Sequence, residues 1–311
     1  MHKLIFPFLL FVIASLSCGQ HENVSDNTDS IAVESGTLLM SIKVNSNQGE
    51  ALLLTQFKSL EELKSVIQIK YLEDSSGVCL TYSCRGVQVT HELKSGFGQN
   101  DFSRAANGNF WDKLWLGIRC PYAVLNKKAL KTIEYLGRRK YEIFGHGDVA
   151  FYDLAESMVH HISDEDKVKL SEKDLSEKGY LNTFNHIIPQ AMMTSIYSEA
   201  LADFVGDAHE RSAMPELITG NFTSMEIADV EFGPVDNYLD LINNEWGQKL
   251  GKVLCEKYHI NQRTFWTPQL LSDFLNDIQS YHSWVFQIAF KPFTSDEEIV
   301  VRFVSKMNKV I

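Results

Sequence analysis

The segment GDAHERSAM, residues 206–214, places Asp207, His209 and Glu210 within four positions. Two carboxyls and an imidazole are the groups that move protons near neutral pH or hold a divalent metal. On an ideal helix Asp207 and Glu210 share a face, being three residues apart, and His209 points elsewhere, beside Ala202 and Val205. That geometry predicts His209 aimed at the apolar core and the two acids nearer the helix edge. A two-histidine zinc helix needs His at i and i+4 with a Glu between them, and this segment lacks that spacing. A packed core histidine is the competing reading of His209.

Two other segments carry comparable groups. His186 lies in FNHIIPQAMM, with Pro189 three residues on. Proline there predicts either a kink that tilts a side chain into a cavity or a helix start with proline in its first turn. The segment 235–258 reads as one long helix with three stripes. Leu239, Ile242, Trp246, Leu250 and Val253 form the apolar face, and Glu245, Gln248, Lys249 and Lys252 the wet one. Between them run Asp240, Asn243, Asn244, Gly247 and Gly251. Each glycine costs about 1 kcal/mol of helix stability against alanine, so close approach of another helix or a ligand is expected there. This stripe is expected to line a crevice, or else to hydrogen-bond within the fold. His160 and His161 read as an exposed helix end, and His146–Asp148 as a turn. No Gly-rich phosphate loop and no Gly-x-Ser-x-Gly elbow is present.

Taken together, FNHIIPQAMM, ADFVGDAHE and DLINNEWG resemble, in order and spacing, an uncharacterised bacterial domain family found in exported and toxin-like proteins. Its pattern runs approximately Phe-Arg-His-x-x-Trp, Asp-Ala-His-Glu, Asp-x-x-Asn-Asn-x-x-Gly, and the likeness covers roughly 110–255. The matching positions are His186, Asp207, His209, Glu210, Asp240, Asn243, Asn244 and Gly247. The chain departs from the pattern at Asn185 (Arg in the family), Pro189 (Trp) and Ile242 (commonly His). The resemblance marks a site and names no reaction.

The elements that must position these groups follow from patterning. Residues 37–92 read mostly as strands: TLLMSIKV, ALLLTQF, SVIQIKYL, GVCLTYSC and GVQVTHEL, with one short helix in SLEELKSV. A Gly, Asn and Ser cluster follows, and beyond it the period becomes helical, beginning with the aromatic, amphipathic FWDKLWLGIRC. Thr267 with Pro268 predicts a helix start, and Ser295 to Glu298 a capping box. The fold class is therefore α+β: a β-rich module at 37–100 and a mainly α-helical domain at 101–311.

Residues 1–18 have the layout of a secretory signal: Lys3, an apolar run from Leu4 to Leu16, then Ser17 and Cys18. The small-residue–Cys ending resembles the lipobox of bacterial lipoproteins, which implies lipidation at Cys18 and a membrane partner through that lipid. The polar stretch 19–36 reads as a tether. Localisation at the bacterial cell envelope, on the periplasmic or outer-membrane face, follows from that resemblance. Cys79, Cys84, Cys120 and Cys255 remain, paired or free, with Cys79 and Cys84 close enough in sequence to close a small loop. A net charge of −11 without any concentrated Lys/Arg stripe excludes nucleic acid as a partner.

Two functional readings stand side by side. In the first, an envelope lipoprotein carries a hydrolase-like pocket for a small-molecule or cell-envelope substrate. His186 or His209 is then general base or metal ligand, and Glu210 or Asp207 the acid or orienting group. Asp240, Asn243 and Asn244 bind substrate or metal, a divalent ion being the cofactor such donors suit. In the second, the same residues form a buried polar network in a non-catalytic structural or binding protein.

Overall fold

The computed structural model describes residues 50–311; Cys18, the tether and the expected strand at 37–44 lie outside the described residues. Three strands, β1 (Ile67–Tyr71), β2 (Gly77–Cys84) and β3 (Val87–Lys94), form an antiparallel sheet in the order β1-β2-β3. Arg85 and Gly86, both at positive φ, make the tight β2–β3 turn whose twist suits a hairpin. Strict alternation buries Val78, Leu80 and Tyr82 of β2 and Val89, His91 and Leu93 of β3 on one face.

Helices follow in chain order. The first half comprises α1 (Leu60–Lys64), α2 (Gln99–Asn107), α3 (Phe110–Arg119), α4 (Pro121–Leu125), α5 (Lys127–Gly137), α6 (Tyr141–Phe144), α7 (Phe151–His160), α8 (Asp164–Lys167) and α9 (Glu172–Leu175). The second half comprises α10 (Tyr180–Ile196), α11 (Glu199–Ala213), α12 (Ser224–Ala228), α13 (Pro234–Tyr258), α14 (Pro268–Phe286) and α15 (Glu298–Val310). The architecture is α+β, a small sheet followed by a helical body, and one hydrophobic core runs through both. Tyr82 of β2 and Trp246 of α13 meet edge to face at 6.2 Å across that junction.

Helix α10 is the centre. It packs against α7, α11 and α13, and its buried residues lie all round its circumference, as expected of a helix with neighbours on every side. Pro189 sits inside it, nine residues past the first, which excludes the first-turn alternative of the two placements expected for it. Helix α13 is also buried on most sides, between the sheet and α10. Its expected wet face is therefore only partly wet: Gln248 is buried and donates to Gln190, and Glu245 turns to the sheet.

The glycine expectation is met. A Cβ at Gly247 would stand 2.8 Å from the Ile187 carbonyl oxygen, and one at Gly251 2.5 Å from that of Ala191. Gly206 of α11 comes equally close to Gln190 and Asn244. These three positions let α10, α11 and α13 approach closely.

The segment ALLLTQF is not a strand. It is extended up to Leu53 and then turns once as a 3₁₀ helix, Leu54–Gln56, with Ala51 to Leu54 buried. The Asn243 amide accepts from Leu52 N at 2.9 Å and donates to Leu52 O at 2.9 Å, taking the part a neighbouring strand would play. Thr183 Oγ1 donates to the same carbonyl at 3.0 Å.

Three smaller expectations need comment. Thr267 caps α14 as predicted, whereas the expected Ser295–Glu298 box does not form: α15 starts after Glu297 without a side-chain cap, and Thr294 N donates to the Glu297 carboxylate at 2.7 Å. The described cysteines are free. Cys79 and Cys84 lie five residues apart on one extended strand, beyond disulfide reach. His160 is exposed, but His161 stacks on Phe293 and bonds the Lys291 carbonyl, so that helix end is only partly free.

Gly247→Ala should destabilise the protein by about 1–3 kcal/mol in urea denaturation, although alanine is the better helix former, because the added methyl meets the α10 backbone. A stabilised variant would show that the helices are not in backbone contact there.

Candidate functional site

Three polar rungs join α10 to α13. Asn182 donates to Asp240 at 2.8 Å, His186 Nδ1 meets Asn244 Oδ1 at 3.0 Å, and Gln248 donates to Gln190 at 3.3 Å. Each rung has the same sequence separation of 58, so the two helices run parallel and in step. The rungs recur every four residues because that spacing returns a side chain to the same helix face. Asn182 also reaches Asp236 at 3.3 Å, one turn before Asp240.

His186 is held at both nitrogens. With Nδ1 facing an amide oxygen, Nε2 stands 3.2 Å from Asp240 Oδ2. Burial opposes charge on this ring, but Asp240 overrides it and lifts the His186 pKa to about 10. Glu210 of α11 completes the group: His186, Glu210 and Asp240 each offer a donor atom, all within 4.8 Å of one another. Glu210 is 1% exposed, and its Oε1 has no hydrogen-bond partner among the described residues. Burial, then repulsion by Asp240, pushes the Glu210 carboxyl well above the usual range. Asp236, nearer solvent, is lifted to about 8 by burial and then by Asp240.

Asn182 and Asp236, which lie next to the cluster, line an open groove of about 290 Å³ together with Tyr152, Glu177, Asn185 and Phe232. Asn182 belongs to both: it faces the groove and bonds Asp240. A molecule in the groove is thus one hydrogen bond from the buried acid.

A second cluster lies where the sheet meets α11 and α13. His91 Nε2 stands 2.9 Å from Asp207 Oδ1, and His91 Nδ1 stands 2.9 Å from Glu245 Oε1 and 3.5 Å from Asp203. Arg211 ties Asp207 at 2.5 Å to the end of β3 through the Lys94 carbonyl at 2.7 Å. Burial disfavours the imidazolium, yet Asp207 and Glu245 raise the His91 pKa to about 10. Asp203 is raised to about 6, first by burial and then by Asp207. His91, Asp203 and Asp207 also have metal-compatible spacing, but His91 and Arg211 already balance these acids.

The expected residues therefore separate. His186, Glu210, Asp240 and Asn244 converge. Asp207 belongs to the second cluster. Asn243 stands apart from the converging group, with its amide hydrogen-bonded to both backbone groups of Leu52. His209 is corrected: it is exposed, 3.2 Å from Gln99 of α2, while Asp207 and Glu210 are buried. The reason is tertiary: α10, α13 and β3 cover the side of α11 that carries the acids. Partial desolvation by the surrounding protein lowers the His209 pKa even at this exposed position, with His186 adding to the effect.

Sequence reasoning passed over His91, Asn182, Asp203, Asp236 and Glu245. His91 had a signal: it alternates with Val89 and Leu93 and so faces inward on a strand already recognised. Asn182 had one too, at i−4 and i−8 from His186 and Gln190 on an otherwise apolar helix. Comparison with family models, with curated proteins and with solved structures finds no match.

His91→Ala should lower stability by about 3–5 kcal/mol below pH ~6.5, because it strands buried carboxylates. The His91 pKa is raised on folding, so its contribution is full below the unfolded value of 6.5 and lost as pH rises through about 10. The gap between wild type and variant in urea melts should therefore narrow over that range. A gap independent of pH would mean that His91 is neutral when folded.

Proposed function

We propose that this chain is a lipid-anchored bacterial envelope protein whose helical domain binds a divalent cation at His186, Glu210 and Asp240, and that the site hydrolyses a substrate lodged in the adjoining groove. One observation carries the reading: a carboxylate buried to 1% with an unpartnered oxygen, set against an imidazole and a second carboxylate within 4.8 Å. An isolated buried carboxylate is costly, and a cation would neutralise it. One nitrogen and two oxygens suit zinc, manganese or iron. Ligand atoms around such an ion lie ~3–3.5 Å apart at bond lengths of ~2.1 Å, a spacing His186 and Asp240 already have at 3.2 Å. A bound cation supplies Lewis-acid polarisation of a carbonyl or phosphoryl oxygen.

This chain's residues have separate tasks in that reading. Asn244 fixes the His186 ring and its tautomer, the kind of outer support metal ligands need. Asn182, a residue of the groove lining, orients Asp240 through its amide N–H. The anchor rests on the sequence of residues 1–18, with Cys18 as the lipidated residue. The resemblance to exported bacterial proteins supports the same location.

The pairing of both His186 nitrogens within a buried site favours the second reading, a network that fixes α10 against α13. Metal content separates the two. On the cation reading the purified protein takes up one zinc or manganese ion per chain, melts higher with it, and loses uptake in His186→Ala. Glu210→Gln should weaken uptake at least about tenfold while leaving metal-free stability within about 1 kcal/mol, since glutamine keeps the shape of the side chain and adds no charge. No uptake by wild type leaves the network reading. Uptake without metal-dependent turnover of ester, phosphoester or glycan substrates leaves a binding protein.

A further inference from the structure

Helix α3 and the short helix α4 have no buried residue between them. Phe110, Trp111, Leu114, Trp115 and Ile118 recur at i, i+1, i+4, i+5 and i+8, which gathers them on one side of α3. All five are exposed, Trp111 to 71%, Trp115 to 60% and Ile118 to 66%. The position of a Cβ on Gly117 lies 3.4 Å from Val124 of α4, so the two helices fold back on each other there. That brings the exposed Val124 and Leu125, the latter 84% exposed, to the same hairpin. Seven of the sixteen large exposed apolar residues of the described chain fall in these sixteen positions. Such a concentration is a contact surface, whereas scattered exposed apolar groups need no explanation.

Charge says what kind. The whole chain carries −11, yet residues 110–131 hold five basic side chains and one acid, Asp112. Lys113, Arg119, Lys127, Lys128 and Lys131 are all exposed. Arg119 lies over the Trp115 ring at 5.4 Å, cation and aromatic on one side of the helix. Aromatic residues flanked by lysine and arginine are the composition of a helix that lies in the interface of an anionic bilayer. Tryptophan suits that layer, with an apolar body and one polar N–H. A second copy of the chain fits less well, because a two-fold contact would set this basic rim against its own image.

We propose that the α3–α4 hairpin is a membrane-docking surface that inserts Trp111, Trp115 and Leu125 among the headgroups and acyl chains of an anionic bilayer. It does not depend on the cation site. Paired with a lipid at Cys18, it would give the domain a second point of attachment and so a fixed orientation.

The test uses the full chain with mixed phosphatidylglycerol–phosphatidylcholine vesicles whose acyl chains are brominated. Trp246 and Trp266 are buried and Trp284 is half-buried beneath Arg85, so the quenching assigned to the hairpin is the part lost on replacing Trp111 and Trp115. Strong quenching is expected, with most of it lost in Trp111→Ser/Trp115→Ser. It should weaken on pure phosphatidylcholine, at high salt, and in Lys127→Glu/Lys128→Glu. Since these side chains contribute nothing to the core, the melting temperature of each variant should match wild type. Absence of quenching overturns the proposal. So does a fall in oligomeric mass on Trp111→Ser/Trp115→Ser without any vesicle effect, which would assign the face to a second copy. Quenching that ignores lipid charge and salt overturns the role given to the basic residues.

Discussion

Everything in the helical body depends on burying a helix that is not wholly apolar. Helix α10 has neighbours on every side, yet it carries Asn182, His186 and Gln190. A polar group taken from water without a partner costs about 1–3 kcal/mol, so each of these must find one inside. The partners Asp240, Asn244 and Gln248 stand on α13 at a constant offset. Only a parallel pair in a single register satisfies all three together. A shift by one turn would face His186 with another rung's partner, and the glycines at 247 and 251 would no longer lie against Ile187 and Ala191. Register and close approach therefore fix each other. The same helix pair also receives the chain arriving from the N-terminal side, through Thr183 and Asn243 at Leu52.

Two buried clusters draw on one kit of side chains and settle its electrostatics differently. Around His91 the acids are matched by an imidazolium and a guanidinium, and the group reads as an ionic seam joining sheet to helices. Around His186 there is no arginine. Asp240 takes the imidazole, Asp236 has Asn182, and Glu210 is left over. Its neutral form relieves the charge but leaves an oxygen unmatched, a condition natural proteins seldom keep without purpose. His91 Nε2 and Asp207 Oδ1 also lack an aligned hydrogen bond, so what distinguishes the two clusters is charge balance: Arg211 stands beside the acids of the first and no such cation is paired with Glu210 among the described residues.

The fold class was legible because the hydrophobic period changes from about two to about 3.6 between Lys94 and Gln99, and period is local information. ALLLTQF was misread for the converse reason. A short apolar run has no period, and what holds it extended is Asn243, 191 residues away. Relative directions on a helix wheel were also legible: Asp207 and Glu210 do lie on the side away from His209. Which side is buried is decided by neighbours, and the wheel is silent on that. Alanine and valine near His209 suggested the core, but the covering elements are α10, α13 and β3, which meet the acids instead. The glycine stripe was the most informative signal, since a repeated conformational penalty on one helix face needs a backbone contact to offset it.

The positions where the sequence departs from the pattern expected of it can be placed in the fold. Asn185, where that pattern has arginine, lines the groove and is not one of the three cation-compatible residues. Pro189 lies within α10, in the turn after His186, where it removes one backbone donor and leaves the rungs on either side intact. Ile242, where the family commonly has histidine, is wholly buried in the apolar core. Two residues on from Asp240, it is turned about 200° round the helix from the cluster. A histidine there would point away from His186 and Glu210. The three departures thus fall in the groove lining, within α10 and in the apolar core, while His186, Glu210 and Asp240 keep their mutual arrangement.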